Sequence, residues 1–78
     1  MKSNLIYSKD KLYVHLNGKT SKKDINNLYN KLNYLVNIYE INDIVFNINN
    51  LVKNGNIDID NFIDNYKYEF SGEITIKK

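Results

Sequence analysis

The stretch KNGNIDIDNFID, residues 53–64, contains the residues most suited to binding a metal ion. An EF-hand calcium loop needs oxygen ligands at its first, third and fifth positions, glycine at the sixth and glutamate at the twelfth. Placing Gly55 sixth puts Asn50 first, Val52 third and Asn61 twelfth, so the third ligand and the closing carboxylate are missing. The preceding segment also has a strand pattern where an EF-hand needs a helix. The sequence therefore predicts a polar turn followed by an Asp-capped helix.

The single histidine and the acidic residues do not form a recognisable catalytic set. His15 alternates with apolar residues in a strand-like segment, and the chain has no second histidine and no cysteine to complete a zinc site. Asp60 and Asp64 have i, i+4 spacing, which places them on one solvated side of a helix. No glycine-rich phosphate-binding motif occurs. We therefore expect a protein that is not an enzyme and that uses no cofactor or metal.

Composition argues against a polyanionic partner. The net charge is +2, and the eleven basic residues are all lysine. Arginine, which binds phosphate and guanine through paired hydrogen bonds, is absent. Fifteen Asn and eleven Ile with no Ala or Pro are typical of an A/T-rich genome.

Binding of nucleic acid or another phosphoanion nevertheless stays open as an alternative function. Proteins that bind single strands stack bases on sheet aromatics beside basic side chains. Such a set could be formed by Tyr7, Tyr13 and His15 with Lys9, Lys11 and Lys77. Because no RNA-recognition motif accompanies them, contact with a protein partner is the leading prediction.

The length of 78 residues predicts one small domain, residues 1–78, and the absence of cysteine excludes disulfides. Near the N-terminus only Leu5, Ile6 and Tyr7 form an apolar run. This run is too short for a signal peptide or a membrane span. We therefore expect a cytoplasmic protein that does not contact a membrane.

Apolar periodicity predicts the strands. Two short apolar stretches flank the polar residues 8–11 and predict a hairpin whose second strand ends at Asn17 and Gly18. The β-branched segment NDIVFNINN, residues 42–50, predicts a central strand, followed by a loop from about residue 49 to 56. EITIKK, after Gly72, predicts a final strand.

Two helices lie between these strands. Ser21 and Asp24 have capping-box spacing, and an apolar stripe predicts a helix over residues 21–39. A second helix begins after Asp58, its expected N-cap. The first stripe consists of Ile25, Leu28, Leu32, Leu35, Val36 and Tyr39, and the second of Ile59, Phe62, Ile63 and Tyr66.

The predicted order is β-β-α-β-α-β. Each helix has one apolar stripe and each strand one apolar face, so we predict an α/β fold with a four-stranded mixed sheet and helices mainly on one face. The other face is expected to be more exposed. It carries Tyr13, His15, Val45, Asn47 and Thr75.

This order of elements resembles the STAS domains, the fold of bacterial anti-sigma-factor antagonists. LYVHLNGK, residues 12–19, is similar to the second strand of that family, and INDIVFNINNLV, residues 41–52, is similar to its central strand. The resemblance implies a bacterial regulator or adaptor that binds other proteins. The family carries a phosphorylated serine in the turn after the central strand. The matching turn here, residues 53–57, has no Ser or Thr, so this phosphoswitch is not expected.

The turn after the central strand is the first predicted partner-binding surface. Exposed amides and an Asn-Gly pair offer a specific contact surface at the end of a strand. The residues expected to bind there are Asn54, Gly55 and Asn56, with Asp58 as the helix cap.

A second predicted surface consists of Tyr29 and Tyr34, which lie off the apolar stripe of the first helix. Tyrosine is enriched at protein interfaces. The sequence does not identify the partner, and a second copy of the chain would serve equally well.

Overall fold

The fold is described by a computed structural model over residues 1–52 and 59–78. β1, β2, β3 and β4 lie side by side in that order, with β1 antiparallel to β2 and the other neighbours parallel. The predicted α/β class and element order are confirmed. The elements are β1 (Lys2–Ser8), β2 (Lys11–Lys19), α1 (Lys22–Tyr39), β3 (Asp43–Val52), α2 (Ile59–Glu69) and β4 (Glu73–Lys77).

Both helices pack on one face of the sheet. The connections from β2 to β3 and from β3 to β4 step in the same direction, and right-handed crossovers then place both helices on the same side. Val14 pairs with Phe46 and Phe46 pairs with Ile76, so one row of apolar side chains crosses the sheet beneath them. The buried members of this core include Leu12, Leu16, Leu28, Leu32, Ile44, Ile63 and Phe70.

The polar break between the first two strands is a two-residue turn. Lys9 and Asp10 have φ angles of 50° and 65°. Positive φ at both central residues is the requirement of a type I′ turn, whose twist matches that of the flanking strands. The hairpin prediction is therefore confirmed.

Two strands are longer than their sequence patterns indicate. β2 does not end at Gly18, because Gly18 pairs with Leu51 and Lys19 pairs with Val52. The loop predicted from residue 49 is therefore wrong at its start, since β3 continues to Val52. The added residues of β2 and β3 pair with each other, which gives their backbone amides and carbonyls hydrogen-bonding partners. Gly18 has a φ of 86° beside a register shift, which is strained for any residue with a Cβ.

The helix α1 begins with the predicted capping box. The Asp24 amide donates to Ser21 Oγ at 3.2 Å, and the Ser21 amide donates to Asp24 Oδ2 at 2.9 Å. The terminal ammonium of Met1 also lies 3.1 Å from Asp24 Oδ2. The hydrogen bond from the Ser21 amide, together with that ammonium, lowers the pKa of Asp24 below its ordinary value. Glu40 ends the helix in the left-handed conformation, with a φ of 51°.

The loops before β3 and β4 touch each other at Gly72. The Glu73 amide donates to the Asn42 carbonyl at 2.9 Å. A Cβ on Gly72 would collide with that same carbonyl oxygen and would lie 2.8 Å from the ring of Phe70. Glycine is required here because the backbone of the other loop occupies the space.

Candidate binding surfaces

The first predicted contact surface lies outside the described residues. Asn54, Gly55, Asn56 and Asp58 all belong to the interval between β3 and α2 that the structural description omits. Their roles in partner binding and helix capping stay predictions.

The first part of the calcium alignment lies in a strand. Asn50 and Val52, which would occupy the first and third ligand positions, belong to β3, whereas an EF-hand has a helix before its loop. Within residues 1–52 and 59–78, no three His, Asp or Glu side chains lie together in a way that would hold a metal ion. The same ranges contain no helix long and apolar enough to cross a bilayer.

Tyr29 and Tyr34 occupy different surroundings. The Tyr34 side chain is 65% exposed, as predicted. Tyr29 is half-buried against the core, so its prediction as a residue off the apolar stripe is wrong. Its hydroxyl donates to Glu69 Oε2 at 2.7 Å, and its ring meets Tyr66 edge-on with a centroid distance of 6.1 Å. Helical spacing gave no indication of this because it does not say on which side of α1 the second helix lies.

A cavity of about 140 Å³ lies between α1 and α2, and we call it the helix groove. The Phe62 and Tyr66 rings are nearly parallel, 6.0 Å apart, and Tyr29 stands almost perpendicular to Tyr66. Burial, with the negative charge of Glu69 adding to it, raises the pKa of Tyr66. The lining residues are Tyr29, Phe62, Asn65, Tyr66 and Glu69.

A second surface consists of exposed apolar side chains near the end of α1. Tyr34 and Ile38 are one turn apart on the same side of the helix. Tyr39 stacks on Tyr7 of β1 with ring centroids 5.4 Å apart. We call Tyr7, Tyr34, Ile38 and Tyr39 the helix-end patch. The sequence placed Tyr39 in the core stripe, but its side chain is 52% exposed because the stripe runs past the end of the sheet-facing core.

Two central rows of side chains cross the face of the sheet opposite the helices. One row runs Ile6, Tyr13, Val45 and Thr75, and the other runs Asn4, His15, Asn47 and Lys77. Tyr13, His15 and Asn47 are half-buried and Thr75 is exposed, as expected. Val45 is only 6% exposed, which corrects its prediction as an exposed residue. It lies between Tyr13 and Thr75 in the first row.

The residues considered for nucleic-acid binding are divided between different parts of the structure. Tyr7 pairs with Leu12 and therefore points to the helix side of the sheet. Lys9 lies in the hairpin turn, and Lys11 Nζ lies 3.8 Å from Asp43 Oδ2. Of that set, the face opposite the helices carries Lys11, Tyr13, His15 and Lys77.

The chain matches no protein-family model, no curated protein and no solved structure. Inferences about its function therefore depend on the surfaces described above.

Proposed function

We propose that this chain is a non-enzymatic protein-interaction domain that binds its partner through the helix-end patch. The observation that carries the proposal is the exposure of four large side chains near the end of α1, where Tyr34 and Ile38 lie one turn apart and Tyr39 stacks on Tyr7. Tyr7 is 42% exposed, Tyr34 65%, and Ile38 and Tyr39 52% each. Exposed apolar residues that lie together are typical of interaction surfaces, whereas singly scattered ones need no explanation.

The types of residue in the patch support a protein partner over a small polar ligand. Tyrosine brings a large apolar ring and a polar hydroxyl to an interface and is enriched there. The stacked pair of Tyr7 and Tyr39 also ties β1 to α1, so two elements present the surface together. A preorganised surface loses less conformational entropy on binding.

The placement of the polar residues supports a role without catalysis. His15 shares its row with Asn4, Asn47 and Lys77, none of which is a carboxylate that would orient it as a general base. Asp43 and Asp64 each lie within ion-pair distance of a lysine.

Within this proposal the chain acts as a STAS-like bacterial regulator or adaptor in the cytoplasm. The support is the order of elements together with the residues of the second and central strands. Because the turn at residues 53–57 lacks a serine, its contact with a partner would not be switched by phosphorylation. Asn54 and Asn56 would form a second contact region.

Site-specific crosslinking tests the proposal. A photoreactive phenylalanine analogue placed at position 34 or 38 should capture one defined protein in the source cell, which is either a partner or a second copy of the chain. The same analogue at position 68 is the control, because Tyr68 is 91% exposed on the other helix. A capture pattern identical at positions 34 and 68 would contradict a binding role for the patch.

Variants of the captured complex sharpen the test. Tyr34→Lys with Ile38→Lys should abolish binding, and Tyr68→Lys should leave the affinity unchanged. Binding through the patch should respond little to salt, because apolar contact releases no condensed counterions.

The alternative is a phosphoanion-binding protein, favoured by the shared row of His15 and Lys77 on the uncovered face. That mode would weaken steeply between low and physiological salt. It would also be lost in Lys77→Gln, which leaves the helix-end patch intact.

A further inference from the structure

The helix groove combines aromatic walls with one carboxylate. Tyr29 and Phe62 are half-buried and Tyr66 is 3% exposed, and all three line the cavity. The three rings come from both helices, so the groove exists only when α1 and α2 are packed together. Neither helix stripe alone predicts it.

The electrostatic character of the groove favours a cation. Aromatic faces carry negative quadrupole potential, and the Glu69 carboxylate adds a full negative charge. Glu69 Oε2 accepts the Tyr29 hydroxyl. None of the ion pairs between described residues includes Glu69; those formed by α2 residues involve Asp60 and Asp64. Burial raises the pKa of Tyr66, and the negative charge of Glu69 adds to that shift.

From this arrangement we propose that the helix groove binds a quaternary ammonium group of a small molecule, with Tyr29, Phe62 and Tyr66 contacting the methyl groups and Glu69 balancing the charge. This site is separate from the helix-end patch and goes beyond the proposed protein-binding function.

The size of the groove and its aromatic walls favour a methylated cation over a primary one. Its volume of about 140 Å³ is comparable to that of an engineered cavity that accommodates a benzene molecule. A primary ammonium needs three hydrogen-bond acceptors, whereas a quaternary ammonium needs none. Aromatic rings are the surfaces on which proteins recognise quaternary ammonium ligands.

Choline and its neutral isostere, 3,3-dimethylbutan-1-ol, provide the direct test. The two have the same shape, and only choline carries a charge. Titration of each into the isotope-labelled protein, followed by amide NMR, should give saturable shifts centred on residues 29, 62, 65, 66 and 69. The isostere should bind about tenfold more weakly, the ratio expected for a cation on aromatic faces.

A pair of charge-matched variants locates the effect. Glu69→Gln retains an acceptor for the Tyr29 hydroxyl but removes the charge, so choline binding should weaken about fivefold to tenfold. Asp64→Asn on the same helix removes one charge outside the groove and should leave the affinity unchanged. Phe62→Leu keeps an apolar side chain but removes an aromatic wall, and it should also weaken choline binding. Circular dichroism of each variant verifies its fold.

Several results would overturn the inference. These are the absence of saturable shifts with millimolar choline, equal affinity for the isostere, or equal losses in Glu69→Gln and Asp64→Asn. Tighter binding of an acetylated lysine amide with a free primary ε-ammonium would also refute the quaternary assignment. Loss of protein capture at the helix-end patch would leave these titrations unaffected, so the two proposals fail separately.

Discussion

Val14 and Val45 lie on neighbouring strands but on opposite faces of the sheet. Val14 pairs with Phe46 on the helix side and is 0% exposed, while Val45 pairs with Tyr13 on the uncovered side and is 6% exposed. Both are buried, but by different means. A second layer of structure covers Val14, whereas Val45 lies between Tyr13 and Thr75 on the face opposite the helices.

This difference separates residues that stabilise the fold from residues that are accessible to a partner. The helix-covered face contains the well-packed core, where a lost methyl group leaves a cavity. On the uncovered face, water or a neighbouring side chain can fill the space left by a smaller residue. Burial there contributes less to the free energy of unfolding.

The largest expected effect on stability comes from shortening a buried side chain of α1, one of the helices that cover the sheet. Leu32 is 0% exposed and packs from α1 onto the sheet. Leu32→Ala should lower the free energy of unfolding by about 2–5 kcal/mol, from lost burial and the resulting cavity. Chemical denaturation monitored by circular dichroism measures it.

Tyr34→Ala, two positions away on the same helix, is the control for Leu32→Ala. Its 65% exposed side chain should contribute less than about 0.5 kcal/mol, as is usual for surface substitutions. Equal losses in both variants would mean that α1 does not cover the sheet with the face assigned to it.

The next effect compares the two valines directly. Val14→Ala should cost about 2–3 kcal/mol, because it removes two methylene equivalents and leaves a cavity beneath the helices. Val45→Ala removes the same atoms but should cost about 1–1.5 kcal/mol, because water reaches the vacated space. Urea midpoints of the two variants measure the difference. If Val45→Ala proved as costly as Val14→Ala, a partner copy or an unrecognised layer would have to cover the second face.

The smallest expected effect on stability is at the start of α1, where Asp24 lies beside the terminal ammonium of Met1, the residue before the edge strand β1. Asp24 has a pKa lowered below its ordinary value of 3.8 by the hydrogen bond from Ser21 and the ammonium of Met1. A depressed pKa contributes stability above the unfolded-state value and loses that contribution as the pH falls through the folded-state value. Stability should therefore decline below about pH 4 through this group.

Asp24→Asn isolates that contribution. The stability difference between the original protein and Asp24→Asn should be present at neutral pH and should disappear in acid. Ser21→Ala is the matched variant, because it removes the hydroxyl cap, worth about 1 kcal/mol, and keeps the carboxylate. A stability difference for Asp24→Asn that is the same at neutral and acid pH would contradict a role for its charge.

Much of the fold was present in local patterns. The alternation in β2 and β3, the i, i+4 spacing in α1 and the Ser21–Asp24 cap each depend on residues a few positions apart. The element order, the class of fold and the core positions Leu28 and Leu32 were therefore correct from sequence. The predicted strand ends were less accurate, because the ends of β2 and β3 form only through pairing across the sheet. Gly18 pairs with Leu51, and Lys19 pairs with Val52.

The surfaces could be predicted only in part. Tyr34 was correctly placed in solvent, because its own helix decides that. Tyr29 was misplaced, because its environment is set by Glu69, forty positions away along the chain. The stacking of Tyr7 on Tyr39 and the aromatic corner of the helix groove also join residues from separate elements.

The sequence by itself therefore determined which segments become helices and strands, and which side of each is apolar, because these depend on backbone preferences and on the period of the side chains. The tertiary structure alone decided which exposed aromatics become neighbours, how Val45 is buried on a face without helices, and where a carboxylate meets three rings. Those features depend on how one element is positioned against another, and the local spacing of residues along the chain does not encode that position.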